Sequence, residues 1–245
     1  MGPLIISLDV ATRKDLFQLL DQFDANETLT VKIGMEMFYG EGPQIVRDLL
    51  KKGHHIFLDL KLHDIPNTVE NGMRQIGRLG VTYTTVHALG GAQMIAQAKR
   101  GGLINGAQDA GGVAPARLLA VTELTSITAQ GLRNEQNCRL PMAEQVVSLT
   151  QLAKQAGGAD GGVITSPLEV PPALREQVGS DFLYVTPGIR PPSGASKDDQ
   201  ARTATPSEAA HNGSNALVIG RPIIQAADPV SAYHQYLKEW QNAER

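Results

Sequence analysis

The 245-residue chain has a single cysteine, Cys138. That rules out an internal disulfide and a cysteine-based metal site, and it suits a reducing compartment. With no histidine assignable to it as a partner, Cys138 reads as a bystander and not as a nucleophile. An excess of charge of one sign is also missing: 22 basic against 25 acidic residues leave a net charge of -3. No basic field exists to gather nucleic acid or anionic lipid, so any anionic ligand must be held by a few placed groups. No apolar run is long enough to span a bilayer, and Met1-Gly2-Pro3-Leu4-Ile5-Ile6 lacks the basic region and apolar stretch of a leader. A soluble, cytoplasmic protein that binds neither nucleic acid nor membrane is expected. Nor does the composition break anywhere, so 1–245 is expected to be a single domain.

Eight short apolar or β-branched runs recur: Leu4 to Leu8, Thr30 to Ile33, His55 to Leu60, Thr82 to His87, Leu118 to Thr122, Gly161 to Ile164, Phe182 to Thr186 and Ala216 to Ile219. Amphipathic stretches lie between most of them, such as Lys14 to Phe23, Thr68 to Leu79 and Met142 to Ala156. Repeated strand and helix units imply parallel strands with crossover helices. Eight units in a chain of this length fit an α/β (β/α)8 TIM barrel better than an open doubly wound sheet. Gly101 to Gly112 and Gly131 to Asn137 read as plain surface loops.

A barrel of this kind carries its chemistry at the C-terminal ends of its strands, and the polar residues gather there. Asp9 closes the first run, Lys32 comes late in the second, Asp59 and Lys61 end the third, His87 the fourth, and Thr122 and Thr125 follow the fifth. Side chains alternate across a strand, so Phe57, Asp59 and Lys61 share one face and Ile56, Leu58, Leu60 and Leu62 the other. The charged pair therefore faces the barrel interior, where desolvation is costly unless partners are present. Lys32, on the adjacent strand, can join Asp59 and Lys61 in an alternating network. Asp64 lies beyond the strand end, just before Pro66, on a loop. A lysine held among carboxylates suits a cationic acid, one able to protonate a carbanion left by loss of CO2, with Asp59 facing the departing carboxylate.

Barrels often bind phosphate with the loops after strands seven and eight. Both loops here pair glycine with arginine, Gly188 with Arg190 and Gly220 with Arg221. Arginine presents a planar fork to phosphate oxygens, and glycine lets the backbone approach. The Pro-, Gly- and Ser-rich stretch from Pro191 reads either as a lid or as a solvated connection; residues 191–213 are taken as the lid region, with Gln200 near enough to address phosphate or a ligand carbonyl.

Asp59-Leu60-Lys61-Leu62-His63-Asp64-Ile65-Pro66-Asn67-Thr68 resembles the signature of the orotidine 5′-phosphate decarboxylases of the short bacterial type. Ile6-Ser7-Leu8-Asp9, Val31-Lys32-Ile33-Gly34, Val121-Thr122-Glu123-Leu124-Thr125-Ser126, Val185-Thr186-Pro187-Gly188-Ile189-Arg190 and Val218-Ile219-Gly220-Arg221-Pro222-Ile223 resemble further segments of that family, in order, across nearly the whole chain. The resemblance implies decarboxylation of orotidine 5′-monophosphate to UMP, the last step of de novo pyrimidine nucleotide synthesis. It also implies that no cofactor or metal takes part and that the barrel is a homodimer. Carried over, it makes Lys61 the proton donor to C6 and Asp59 the carboxylate beside the substrate carboxylate. Asp64 and Thr68 reach the partner's site, Asp9 and Lys32 bind ribose hydroxyls while Lys32 braces Asp59, and Thr125 reads the pyrimidine amide edge. Arg190, Gln200, Gly220 and Arg221 hold the phosphate, with Gln225 a distant alternative to Gln200; His63 is read as structural. Two rivals remain open: a Mg²⁺-dependent sugar-phosphate decarboxylase or aldolase that keeps the same Asp-x-Lys-x-x-Asp spacing, and a nucleotide-phosphate binding protein without catalysis.

Overall fold

Eight strands pair in parallel in sequence order: β1 (Leu4–Ser7), β2 (Thr30–Ile33), β3 (His55–Leu62), β4 (Tyr83–His87), β5 (Arg117–Val121), β6 (Gly161–Val163), β7 (Leu183–Thr186) and β8 (Ala216–Ile219). Strand β8 returns to pair with β1, with Leu4 opposite Leu217 and Ile6 opposite Ile219, so the sheet closes into the expected (β/α)8 barrel. The structure, a computed structural model, describes residues 2–163, 172–179, 181–190 and 203–243. The end of the sixth expected strand, Ile164, lies outside them; the other expected strand ends fall within two residues of the observed ones.

Period-two alternation sorts the strand residues onto two sides. Ile5, Phe57, Tyr83, Leu119, Val185, Ala216 and Val218 form a buried cluster of their own inside the barrel. Their neighbours Ile6, Ile56, Leu58, Leu118, Leu217 and Ile219 join the larger core between sheet and helices. That outer layer is α1 (Arg13–Leu20), α2 (Met35–Glu41), α3 (Gln44–Lys51), α4 (Pro66–Gly77), α5 (Gly91–Gln97), α6 (Asn105–Asp109), α7 (Ala129–Asn134), α8 (Met142–Gln155), α9 (Pro172–Val178), α10 (Pro206–His211), α11 (Arg221–Ile224) and α12 (Pro229–Asn242). At the N-terminal end of the barrel the buried Trp240 indole of α12 donates to the Gly2 carbonyl at 2.9 Å.

Two stretches expected to be loops are helical. Between α5 and α6 the chain stays coiled through a run of wider π turns, Ala98–Ile104, and α7 occupies much of 131–137. Gly102 and Gly106 in the first stretch serve close packing. A Cβ on Gly106 would run into the Arg74 carbonyl oxygen, and one on Gly102 would stand 2.5 Å from the Met73 Cβ. From the other side, a Cβ on Gly77 of α4 would lie 2.6 Å from the Leu103 carbonyl oxygen. Glycine is a poor helix former, but here its lack of a side chain lets two helix backbones touch. Of the region 191–213, residues 203–213 are described; Ala204 bridges to Ile189, and Thr205 and Glu208 form a reciprocal capping box at the start of α10.

Candidate active site

Followed toward the C-terminal strand ends, the inward-facing rows turn from apolar to polar. Ile5 gives way to Ser7 and Asp9, Phe57 to Asp59 and Lys61, Tyr83 to Thr85 and His87, and Val218 to Gly220. These ends surround a cavity of about 440 Å³ with Phe57, Val121 and Val218 among its apolar lining. Asp9, Lys32, Asp59, Lys61, Thr125, Arg190, Gly220 and Arg221, all singled out in the sequence, line it as well.

Asp59 is the hub of the charged side. It is only 7% exposed, and its Oδ2 accepts from the Lys61 ammonium at 2.6 Å while the Lys32 ammonium stands 3.8 Å away. Lys32 Nζ reaches on to Asp9 Oδ1 at 3.1 Å, and the Ser7 hydroxyl donates to Asp9 Oδ2 at 2.6 Å. Charges therefore alternate, Asp9, Lys32, Asp59, Lys61, so each ammonium lies against a carboxylate. Burial pushes the Asp9 carboxyl up, but the Lys32 charge and the hydrogen bonds from Ser7 and Lys32 outweigh it and hold the group below its ordinary value. Space is tight beside this chain of charges: a Cβ at Gly34 would stand 3.3 Å from both Asp9 Oδ1 and Lys32 Nζ.

Lys61 departs from the strand geometry on which the alternation rests. Its φ is +50°, in the left-handed region, and the pairing of β3 with β4 slips there: Leu58 lies opposite Thr84 but Leu62 opposite Val86. A bulge of this kind re-aims side chains beside functional sites. Thr85, which sequence reasoning passed over, fills the slip. Its hydroxyl accepts from the Lys61 backbone N–H at 2.9 Å and donates to Asp59 Oδ1 at 2.9 Å.

The arginine side stands across the mouth, since β7 is four strands from β3 in either direction around an eight-stranded ring. Gly188, at φ +82°, precedes a short pairing in which Arg190 N–H donates to the Ala204 carbonyl and Ala204 N–H to the Gly188 carbonyl. Arg190 is 9% exposed and its guanidinium also donates to the Ile189 carbonyl at 2.8 Å. Gly220 caps α11, placing Arg221 at that helix's first position.

Glu123, also missed, lies in the β5 segment already noted. It is buried, and Gln136 and Gln145 donate to its two oxygens at 3.2 Å each, tying the cavity wall that carries Thr125 to the α7–α8 region. His87 packs beside His63, ring centroids 5.7 Å apart. Its imidazole is depressed below its usual value by burial, with His63 and Lys61 adding to the effect and Asp59 opposing it. Gln225 lines the cavity, whereas Gln200 lies outside the described residues. Asp64 and Thr68 are exposed and do not line the cavity of their own chain; Asp64 Oδ1 accepts from the Ile65 N–H at 2.6 Å. Among the described residues, no group of three or more His, Cys, Asp or Glu side chains is arranged to hold a metal ion, and no helix is long and apolar enough to cross a membrane.

Comparison with known proteins gives a consistent result. Residues 2–236 match the model of the Orotidine 5'-phosphate decarboxylase / HUMPS family. A Lactobacillus acidophilus protein named Orotidine 5'-phosphate decarboxylase is 56% identical over 238 residues, covering 97% of this chain and 98% of its own length. One of the same name from Lactiplantibacillus plantarum is 55% identical over 240 residues, covering 98% and 99%. The crystal structure of the Lactobacillus acidophilus enzyme superposes with a TM-score of 0.84 at 49% identity, covering 99% of this chain and all of the other.

Proposed function

The chain belongs to the orotidine 5′-phosphate decarboxylase / HUMPS family, and from that premise we propose how it decarboxylates orotidine 5′-monophosphate to UMP and CO2 within pyrimidine nucleotide synthesis. The observation that carries the reading is the Lys61 ammonium held 2.6 Å from a buried Asp59 at the mouth of a cavity that also contains Arg190 and Arg221. A nucleotide needs both parts: cations for its phosphate and a charged dyad at its reacting base. The cavity volume lies within the range of about 300–1,000 Å³ usual for small-molecule sites.

In this assignment Arg190 and Arg221 grip the phosphate with bidentate, charge-assisted hydrogen bonds, and Gly220 lets the phosphate approach the backbone. Asp9 and Lys32 bind ribose hydroxyls, and Thr125 addresses the pyrimidine amide edge. The substrate carboxylate lies against Asp59. As the bond from C6 to the carboxylate carbon breaks, its electron pair stays on C6 and neutral CO2 departs; Lys61 stabilises the developing carbanion and transfers a proton to it. The neutral amine then regains its proton from solvent. Because this acid is a protein side chain, the assigned chemistry needs no cofactor and no metal.

Asp64 and Thr68 are assigned to the site of a second copy in a homodimer. Their exposure outside their own cavity supports this, as do the exposed Met35, Tyr39, Ile65 and Leu89 on the segments that follow β2, β3 and β4. Residues 191–213 are assigned as a lid over the phosphate, carrying Gln200, on sequence grounds, within a single domain spanning 1–245. A cytoplasmic location fits the one free cysteine and the reaction.

Incubation of the purified protein with orotidine 5′-monophosphate, followed by the loss of the substrate's ultraviolet absorbance, tests the reaction. Decay is expected, unchanged by EDTA. Absence of decay with or without Mg²⁺ would refute the reading, and decay abolished by EDTA would favour the metal-dependent rival.

A further inference from the structure

Three consecutive residues of β3, Asp59, Leu60 and Lys61, lie opposite the single residue Thr85 of β4, because the register moves from Leu58 with Thr84 to Leu62 with Val86. Such a slip removes the ladder partner of a backbone amide at a buried place, and an unpaired buried amide is costly. The fully buried Thr85 hydroxyl accepts the orphaned Lys61 N–H, at 2.9 Å. A hydroxyl has one proton to give, and here it goes to Asp59 Oδ1, also at 2.9 Å. One side chain thereby holds the backbone of the acid and the carboxylate paired with it. With Oδ1 tied to Thr85, Asp59 turns Oδ2 toward the ammoniums of Lys61 and Lys32.

We propose that Thr85, which does not line the cavity, is a positioning residue for decarboxylation: its hydroxyl sets the orientation of the Asp59 carboxylate and the left-handed backbone turn that aims Lys61 at the reacting carbon. The inference rests on the reaction assigned above and deepens it. Val and Thr have nearly the same shape, so Thr85→Val removes both hydrogen bonds at little cost in volume, while Thr85→Ser keeps them and loses a methyl group. A group that acts only by aiming the acid and its carboxylate changes the chemical step without changing how tightly the nucleotide is held.

Steady-state kinetics of the wild type and both variants with orotidine 5′-monophosphate, together with calorimetric binding of UMP, test this. Thr85→Val is expected to lower kcat by roughly 10- to 150-fold, the range for a lost hydrogen bond to a charged group, with KM and UMP affinity within about threefold of wild type. Thr85→Ser is expected to stay within about threefold of wild type in kcat. If Thr85→Val does not fold, Thr85→Ala replaces it on the same readouts. An active wild type beside a hydroxyl-free variant of undiminished kcat overturns this inference alone, and so does a Ser variant that falls as far as the Val variant. A wild type inactive on orotidine 5′-monophosphate overturns the assigned reaction and this inference with it.

Discussion

Lys61 is a lysine at φ +50° at the penultimate position of β3, and that conformation can be weighed by comparing Lys61→Ala with Lys61→Gly. Both substitutions remove the ammonium and its 2.6 Å pairing with Asp59, so the electrostatic losses are common to the two proteins and cancel. What differs is one Cβ. In the left-handed region a Cβ costs roughly 1–2 kcal/mol through its clash with the backbone, whereas glycine gives back roughly 0.4–1 kcal/mol through the extra freedom of its unfolded chain. The balance favours the Gly variant by about 1 kcal/mol, or a Tm higher by roughly 2–4 °C in a domain of this size. In an ordinary extended strand the sign is the opposite, with Gly less stable than Ala by roughly 0.5–1 kcal/mol. Scanning calorimetry or urea unfolding of the two purified variants at neutral pH reads the difference directly. An Ala variant as stable as the Gly variant, or more so, would show that the bulge relaxes once the ammonium is gone, and would refute the view that the β3–β4 slip imposes the strained turn. Both variants should be inactive, losing at least the roughly 10²–10⁴-fold that a positioned general acid supplies.

Arg221→Ala should lower kcat/KM for orotidine 5′-monophosphate by roughly 10- to 150-fold, the equivalent of about 1.5–3 kcal/mol for a hydrogen bond to a charged group, and should narrow the preference for nucleotide over nucleoside; an unaltered preference in competition kinetics would remove it from the phosphate site. Mixed dimers of Lys61→Ala and Asp64→Ala subunits should recover activity that neither parent has, and inactive, verified heterodimers would make each site self-contained. Asp109, hydrogen-bonded by Arg74 and Arg78, is held at about 2 against an ordinary 3.8. A depressed carboxylate contributes stability above its unfolded value and loses it as pH falls through the folded one, so this contribution is present above pH 3.8 and disappears toward about 2. Asp109→Asn should accordingly flatten the fall in Tm across that window while changing nothing in the pH dependence near neutrality; an identical acid limb in both proteins would count against it.

The barrel was legible in the sequence because eight apolar runs and the crossovers between them are local patterns. The same is true of Asp59, which a period of two places with Phe57 on the inner face; Lys61 reaches the same cavity through a bulge and not through simple alternation. The conformation of Lys61 and the part played by Thr85 were not legible, since both arise from a slip between two strands that neither strand announces alone. Thr85 could have been noticed from its place between Tyr83 and His87 on an inward-facing row. The stretch from Gly101 misled for the reverse reason: its local preference points to loop, and only the approach of α4 explains why glycine recurs in a helix. Asp64 and Thr68 belong to a segment that is exposed in one chain, and the partner that such a segment meets is written in no local pattern of the sequence.

That packing of glycine on backbone reaches beyond the helices themselves. Helix α4 begins at Pro66, two residues after Asp64, and carries Thr68 in its first turn. Its far end is seated directly on the Ala98–Ile104 turns through Gly77 and opposite Gly102 and Gly106. Contacts between main chains have no rotamers to change, so the helix has little room to slide or roll. A bulky residue at 106, buried against α4 and outside the cavity lining, is therefore expected to displace the helix and with it the loop at its other end, so that a loss of turnover would arise without any change in the loop itself.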